Sequence, residues 1–311
     1  MEVIATLTET AIPVVLEPTQ HAFMELLEAR RASIEAVPRK TFKYGATDRH
    51  QLDVYFPSTP TSPDKKTPIL FFIYGGGFNT GSRIFPAPLD LGYKNVGAFF
   101  ASRGLLTIIP DYRLVPPARF PEPAEDVRDA ISWVVQNAGA LRPSTDGADP
   151  DVDRIFVLGH SAGAIYSLSV MLAPQFDESR TLLPRIRAAV LAGCLYHFKT
   201  NAAKMPVLRR LYGTEDETRE KEPLGLLENA PDEQLKNLPE LLYVEAERDP
   251  SNIRDSCVDF RAVLEKRLTE IGGGKGGWTT GEYILAKGHN HISPIVGTFI
   301  WRRGGMGGGC Y

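Results

Sequence analysis

The stretch RIFVLGHSAG, residues 154–163, decides the fold because it joins an apolar run to a tight turn. Residues 154–158 have the short, mainly apolar pattern of a buried strand. The pentapeptide Gly159-His160-Ser161-Ala162-Gly163 follows at once and has the G-x-S-x-G pattern of a strained strand-to-helix turn. Glycines flank the serine because larger side chains there would collide with its backbone. The pattern predicts that Ser161 is a nucleophile, with its Oγ raised above the sheet edge and aimed at a carbonyl carbon.

The rest of the chain repeats this alternation of short apolar runs and helical patterns. Further strands are predicted at 69–74, 105–110, 186–191, 240–246 and 281–286. Helices are predicted at 89–103, 123–138, 161–173 and 255–270, and a last one begins near Pro294. Ahead of them, residues 41–46 and 50–56 have the pattern of an antiparallel hairpin. Strands separated by helices predict an α/β fold, with a mostly parallel sheet and helices on both faces.

Two segments lie outside this alternation. Residues 1–40 contain a helical pattern at 20–36, and residues 195–238 contain no convincing strand. Open α/β sheets bind ligands at the carboxyl ends of their strands, so we expect each segment either to cover that edge or to be an ordinary surface helix or connection. The expected division is a helical lead-in at 1–40 and one α/β domain at 41–311, with a short insertion at about 195–238.

Composition and charge narrow the classes of partner. The net charge of −3 and the scattered Lys and Arg residues provide no basic patch for nucleic acid. No apolar run reaches the ~18 residues of a membrane helix, and the first residues lack the pattern of a signal peptide. Cys194, Cys257 and Cys310 form no C-x-x-C pair, which fits a reducing compartment. We expect a cytoplasmic protein with a small-molecule substrate and no cofactor or metal, and the sequence leaves a homodimer open.

A second motif, Tyr74-Gly75-Gly76-Gly77-Phe78, follows the first long apolar run. A turn without side chains lets backbone N–H groups approach a substrate oxygen closely. Donors in this position would stabilise the negative oxygen of a tetrahedral intermediate. A tight strand exit would also explain the glycines, but the turn at Ser161 favours an oxyanion hole. The N–H of Ala162, directly after the nucleophile, is predicted to point at the same oxygen.

The acid of a Ser-His-Asp triad is expected between the serine and the histidine in the chain. Asp249 comes just after the strand predicted at 240–246, at the edge where the carboxyl ends of strands meet. Glu247, Asp255 and Asp259 are alternatives, although the last two fall at the start of a predicted helix or inside it. Because Asp249 precedes a proline, a simple turn residue is the competing interpretation. We predict that Asp249 is the acid.

The base is expected after the last strand, where Gly288-His289-Asn290-His291 offers two histidines. A His-x-His pair can also bind a metal, but no matching ligand cluster occurs elsewhere in the sequence. His160 occupies the variable position of the G-x-S-x-G motif and is expected to point away from the proton of Ser161. The other histidines lie in segments remote from this edge: His21, His50 and His197. From the residues alone, both His289 and His291 remain candidates.

The order of these motifs resembles the hormone-sensitive-lipase-like branch of the α/β-hydrolases over roughly residues 45–300. Asp111-Tyr112-Arg113-Leu114, Phe120-Pro121 and Asp126 are similar to the DYRL…FP…D signature of that branch. Asp249-Pro250 resembles its acid motif. The resemblance implies the α/β-hydrolase fold.

The same resemblance assigns the oxyanion hole, which would be made by the N–H groups of Gly76, Gly77 and Ala162. The family usually begins its glycine motif with His where this chain has Tyr74, so the loop geometry is expected to differ. The pentapeptide GHSAG is similar instead to kynurenine formamidases and their carboxylesterase relatives. The stretch 211–224 resembles the short connection of that group, which implies a short cover. The relatives also imply His291, rather than His289, as the base.

The expected function is that of a serine carboxylesterase, which hydrolyses a small or aromatic ester through an acyl-enzyme on Ser161. His291 would take the serine proton, and Asp249 would orient the imidazole. One alternative keeps the chemistry but changes the substrate to an arylformamide such as N-formylkynurenine. Another is a non-catalytic binding protein on a hydrolase scaffold, although such proteins usually lack a triad member and this chain has all three candidates.

Overall fold

The central sheet follows the alternation seen in the sequence. The computed structural model describes residues 2–57, 66–142, 149–177, 181–199, 205–274 and 280–297. Its strands are β1 Arg39–Lys43, β2 Gln51–Tyr55, β3 Lys66–Ile73, β4 Leu106–Pro110, β5 Asp149–His160, β6 Ile186–Ala192, β7 Glu240–Arg248 and β8 Glu282–Asn290. Within the described residues they form one eight-stranded sheet in the order β1-β2-β4-β3-β5-β6-β7-β8.

Helices surround this sheet and connect its strands. The longer ones are α2 Ile12–Glu28, α4 Leu91–Ala101, α5 Glu122–Gln136, α6 Ala162–Leu172 and α11 Ser251–Glu270. The shorter ones are α1 Glu2–Thr6, α3 Arg31–Glu35, α7 Pro206–Tyr212, α8 Glu215–Lys221, α9 Pro223–Asn229, α10 Asp232–Lys236 and α12 Ser293–Val296.

The pairing of the strands confirms the predicted fold class. β1 and β2 form the antiparallel hairpin expected near the start of the sheet, with Lys43 opposite Gln51. β2 is also antiparallel to β4. All the pairs from β4 through β3, β5, β6 and β7 to β8 are parallel. The carboxyl ends of the parallel strands therefore meet at one edge, where the predicted site residues follow them.

The centre of the sheet is its most deeply buried part. Ile69, Phe71 and Ile73 of β3 are fully buried, and so are Ile155 and Val157 of β5. Burying one such side chain contributes ~1.5–3 kcal/mol relative to leaving it in water. Strands covered on both faces are expected to be apolar throughout. The turns that follow β3 and β5 therefore begin at strands that are held rigidly in the core.

The helical pattern predicted at 20–36 is shifted and divided in the structure. α2 begins earlier, at Ile12, because Pro13 lies in the first helical turn, where no backbone N–H is needed. The chain then turns at Ala29 and Arg30 before α3 begins. The buried side chains of α2 recur every four residues and so form one face: Val15, Thr19, Phe23 and Leu27.

The segment 195–238, for which the sequence predicts no strand, forms α7, α8, α9 and α10 in its described part. A capping box between Thr214 and Glu217 fixes the start of α8. α9 packs against α6 and α11. The segment therefore joins the helical layer beside the sheet.

Two findings bear on the expectations from composition. Among the helices of the described ranges, none combines the length and the apolar character needed to cross a membrane. Cys194 and Cys257 are buried free thiols. Cys310 lies outside the described residues.

Candidate active site

Ser161 occupies a strained turn between β5 and α6. Its φ of 52° and ψ of −122° lie outside the ordinary regions for a residue with a side chain, and its N–H donates to Ala192 O at 2.9 Å. A Cβ on Gly163 would lie 2.1 Å from Ile73 O, and one on Gly159 would lie 2.5 Å from Ala164 Cα. Both glycines are therefore required, as the motif predicts.

Asp249 and His291 form a buried pair at the carboxyl ends of β7 and β8. His291 Nδ1 lies 2.6 Å from Asp249 Oδ1, and the carboxylate is the acceptor, so Nδ1 carries the proton. The other oxygen, Oδ2, accepts the backbone N–H of Ala246 at 2.6 Å. The two side chains are at most 3% exposed. The carboxylate is thus fixed by two hydrogen bonds and in turn fixes the ring of His291.

The second ring nitrogen of His291 is available for proton transfer. Its Nε2 is buried and has no hydrogen-bond partner among the described residues. The residue after β6 makes room for this ring, because a Cβ on Gly193 would lie 2.7 Å from His291 Cε1. Gly193 also has a φ of 55°, which favours glycine. Nothing in the sequence analysis identified this glycine.

The other candidates for base and acid have different partners. His289 Nδ1 lies 2.9 Å from Ser293 Oγ, and burial together with the charge of Arg248 lowers the pKa of His289 to about 4. Glu247 accepts the N–H of Gly288 at 2.7 Å. Asp259 pairs with His197 at 3.0 Å. Asp255, an alternative acid, is exposed on α11. His50, one of the remote histidines, pairs with Asp126 at 3.0 Å. The structure therefore places His291, and not His289, against Asp249.

The glycine loop, residues 74–83, follows β3 on the other side of Ser161. Gly76 and Gly77 have φ values of 135° and 57°, a region that favours glycine, and at Gly76 a Cβ would also lie 2.2 Å from Thr80 O. Gly76 O accepts the N–H of Thr80 at 3.0 Å and its Oγ1 at 2.7 Å, which closes the turn. Within the described residues, the N–H groups of Gly76, Gly77 and Ala162 donate to no protein acceptor. Gly76 and Gly77 also line a cavity beside Ser161.

A network of charged and phenolic groups holds the glycine loop from behind. Tyr74 donates its hydroxyl proton to Asp111 Oδ1 at 2.6 Å and accepts a hydrogen bond from Arg49 at 2.8 Å. Arg83 binds Asp111 through its backbone N–H and its guanidinium, and it also reaches Asp53 at 3.2 Å. Tyr74 therefore anchors the loop where the family usually has His.

The remainder of the DYRL…FP…D signature forms a second anchor. Tyr112 donates its hydroxyl proton to Tyr74 O at 2.8 Å. Arg113 binds both oxygens of Asp126, at 2.7 Å and 2.9 Å. Tyr112 thus supports the loop directly, Asp126 holds the neighbouring Arg113, and none of these three residues lines the cavity described below. Sequence reasoning identified the signature but missed Arg49, Asp53 and Arg83.

His160 lies closer to the base than the sequence suggests. Its ring centroid is 4.9 Å from that of His291, and its Nε2 lies 2.9 Å from His291 O. The sequence analysis did not anticipate this contact with His291, and no hydrogen bond joins the His160 ring to Ser161 among the described residues. The elbow turns its side chain toward β8, because the end of β5 and the residues that follow β8 meet at the same edge of the sheet.

Ser161, His291, His160 and part of the glycine loop line one cavity of about 280 Å³. Gly75, Gly76 and Gly77 line one side of it, and His160, Ser161 and His291 line another. Most of the remaining wall is apolar: Ile12, Leu16, Phe85, Tyr93, Ile295 and Val296. α2 therefore forms part of the wall, whereas the described residues of 205–238 do not.

The N-terminal helices are attached to the residues around the base. Asn290 Nδ2 donates to Thr19 Oγ1 of α2 at 2.8 Å, and both side chains are fully buried. Asn290 Oδ1 accepts the N–H groups of Ile292 and Ser293, which forms the turn containing His291. Arg248 donates to Ile4 O and Ala5 O at the end of α1. The N-terminal segment thus supports the histidine segment, residues 288–293.

Comparisons with known proteins agree with this architecture. The family described as BD-FAE matches residues 52–253. A "probable isoprenylcysteine alpha-carbonyl methylesterase" of Oryza sativa subsp. japonica is 32% identical over 137 residues, which cover 44% of this chain and 29% of that protein. A "probable carboxylesterase M8" of Phoma sp. is 30% identical over 182 residues, which cover 57% of this chain and 53% of that protein. The chain thus matches about half or less of the length of these relatives.

A solved structure supports the fold over most of the chain. The thermostable esterase from Pseudomonas putida ECU1011 is similar with a TM-score of 0.61 at 20% identity, over 90% of this chain and 83% of that chain. The family match extends over well more than half of the sequence, from β2 into α11. The chain belongs to the BD-FAE family, and its fold is that of the α/β-hydrolases.

Proposed function

We propose that this protein is a serine carboxylesterase that hydrolyses a small or aromatic, uncharged ester through an acyl-enzyme on Ser161. The observation that carries the proposal is the position of His291. It is bound to Asp249 at Nδ1, while its Nε2 has no described partner and its ring lines the same cavity as Ser161 and the glycine loop. The esterase names of the relatives above support the same reaction class.

Acylation would begin when Ser161 Oγ attacks the ester carbonyl carbon and its proton moves to His291 Nε2. The carbonyl oxygen becomes an oxyanion, which would accept hydrogen bonds from the N–H groups of Gly76, Gly77 and Ala162. Asp249 stabilises the imidazolium and keeps the ring in the correct tautomer. The bond from carbon to the leaving alcohol then breaks, and His291 returns its proton to that alcohol.

Deacylation would repeat these steps, with water as the nucleophile. His291 Nε2 takes a proton from a water molecule, and the hydroxide oxygen bonds to the acyl carbon. The same three N–H groups stabilise the second oxyanion. The ester bond to Ser161 breaks, its Oγ regains the proton from His291, and the acid leaves.

The cavity wall favours an uncharged substrate. Ile12, Leu16, Phe85, Tyr93, Ile295 and Val296 offer apolar contacts around the nucleophile. Burying a charged group against such a wall costs free energy unless a partner compensates it. The amino-acid end of N-formylkynurenine carries two charges, so this wall fits an apolar acyl or alcohol group better. A formamide substrate remains the second candidate because the pentapeptide GHSAG resembles that of kynurenine formamidases.

Replacement of Ser161 by Ala tests the proposal. We expect kcat for p-nitrophenyl acetate to fall by about 10⁶-fold if the triad acts as a unit, and labelling by a fluorophosphonate probe to disappear. Ser102→Ala is the control, because Ser102 is exposed and its hydroxyl bonds only to nearby residues, Phe99 O and Arg103, among those described. Equal turnover in the Ser161 variant and the wild type would exclude an acyl-enzyme on Ser161. Absence of labelling in the wild type would favour a non-catalytic binding protein.

A substrate panel separates the two candidate reactions. Esters of graded acyl length, aryl esters and N-formylkynurenine would be compared by kcat/KM. We expect uncharged esters to be preferred by several orders of magnitude. A higher kcat/KM for the formamide would overturn the ester assignment while leaving the role of Ser161 intact.

A further inference from the structure

His160 directly precedes Ser161 in the chain and contacts His291 in space. Its side chain is buried and lines the cavity. Its Nε2 lies 2.9 Å from the backbone carbonyl oxygen of His291. The bond joins two residues that are 131 positions apart, so it fixes the end of β5 to the segment that carries the base.

The partner of this nitrogen determines the state of the ring. A carbonyl oxygen can only accept, so His160 Nε2 must carry the proton. In the neutral ring, Nδ1 is then without a proton. Burial, together with the nearby ring of His291, lowers the pKa of His160 to about 3. The ring therefore stays neutral near neutral pH and adds no charge beside His291.

We propose that His160 is a positioning residue for the base: it holds the backbone of His291 while Asp249 holds the ring. The two bonds act at different ends of the same residue, one at its carbonyl oxygen and one at Nδ1. Together they fix the position of the ring in the cavity that Ser161 also lines. Without the bond from His160, the backbone at His291 would be held, among the described residues, only by the turn that Asn290 forms, and a misplacement of about 1 Å can cost ~10²-fold in rate.

This inference rests on the proposed function, because it assigns His160 a task only if His291 is the base. His160 Nε2 is already engaged as a donor to the carbonyl oxygen, so this nitrogen cannot accept the proton of Ser161. Its Nδ1 carries no proton, but burial lowers the pKa of the ring and makes it a weak base, so the role is distinct from that of a second base. It predicts an effect on kcat, and little effect on KM.

A matched pair of variants tests the role. The amide nitrogen of Gln in His160→Gln can reach the position of Nε2 and donate to His291 O. Met in His160→Met has a similar length and no donor. We expect His160→Met to lower kcat for p-nitrophenyl acetate by about 10–100-fold with KM nearly unchanged, and His160→Gln to remain within a few-fold of the wild type. The fluorophosphonate labelling rate of Ser161 is expected to follow kcat.

Two further variants control for misfolding and for a general effect of replacing a histidine. His160→Asn replaces His160→Met if the Met variant does not fold. Its amide is too short to reach the carbonyl oxygen, so we expect the same loss of kcat, about 10–100-fold. His21→Met is the control, because His21 is exposed on α2. Rates would be normalised to the folded fraction from thermal melts.

The outcomes separate the two proposals. Equal kcat in the Gln, Met and Asn variants would exclude the positioning role while leaving the esterase proposal intact. A change confined to KM would make His160 a wall residue only. A wild type that neither hydrolyses esters nor labels would overturn the proposed function and this role with it.

Discussion

The glycine loop and the histidine segment approach Ser161 from opposite sides of β5, and different interactions hold them. The glycine loop is fixed by charges, since Arg83 connects Asp53 to Asp111 and Tyr74 binds the same Asp111. The histidine segment is fixed mainly by hydrogen bonds of His291 and Asn290 to side chains from distant parts of the chain.

This difference extends to the sequence separation of the partners. The groups behind the glycine loop lie between residues 49 and 126, close to the loop itself. The partners of the histidine segment are 42, 131 and 271 positions away along the chain. One side of the site is therefore a local structure, and the other is assembled from both ends of the fold. Substitutions on the two sides should consequently differ in their effects on kcat and on stability.

The largest effect is expected from Asp249→Asn, on the histidine side. The amide cannot stabilise the imidazolium and favours the wrong tautomer of His291, so kcat should fall by about 10⁴-fold. Steady-state kinetics with p-nitrophenyl acetate measure this. Asp255→Asn, exposed on the same connection, is the matched control. A loss below tenfold would mean that the histidine side does not carry the proton transfer.

A smaller loss is expected from Gly76→Ala, on the glycine side. The new Cβ would lie 2.2 Å from Thr80 O at a φ of 135°, so the loop must move and misdirect its N–H donors. We expect kcat to fall by ~10²–10³-fold, with KM less affected. Gly139→Ala is the control, because its Cβ would meet nothing within 4 Å. Wild-type kcat in Gly76→Ala would remove this loop from the oxyanion hole.

Thr19→Val examines the long-range support of the histidine segment. Loss of the hydroxyl leaves the buried Asn290 amide without this partner, which costs about 1–3 kcal/mol of the free energy of unfolding. Urea unfolding measures the change, and Thr19→Ser should restore most of it. If the Val variant matched the wild type in both unfolding and kcat, α2 would be a wall of the cavity and nothing more.

The smallest effect is expected on the stability of the folded protein at acidic pH. The pKa of His289 is lowered to about 4 by burial, and then by the charge of Arg248. The folded state therefore binds fewer protons than the unfolded state between about pH 4 and pH 6.5, so stability is lost as the pH falls through that window. His289→Asn should flatten this dependence, measured as the urea midpoint at pH 7 and pH 5, with His21→Asn as control. An unchanged slope would assign the acid lability to other groups.

The same contrast explains which parts could be predicted from sequence. The strands, their parallel pairing and the turn at Ser161 follow from local patterns, and the resemblance added the signature that anchors the glycine loop. Asp249 could be identified because it follows a strand whose end lies at the edge where the carboxyl ends of strands meet, whereas the choice of His291 over His289 came from the resemblance. Gly193, Thr19 and the orientation of His160 could not be identified, because their tasks depend on residues that become neighbours only in three dimensions.

The bond between Thr19 and Asn290 also constrains the order in which the molecule can become active. It closes a separation of 271 residues, and contacts of such length form late because the entropy of the intervening chain must be overcome first. During synthesis, β5 and the glycine loop leave the ribosome long before β8 does. Under the proposed function, the turn at Ser161 would therefore form before His291 is in place, and the site would be complete only when β8 has joined the sheet.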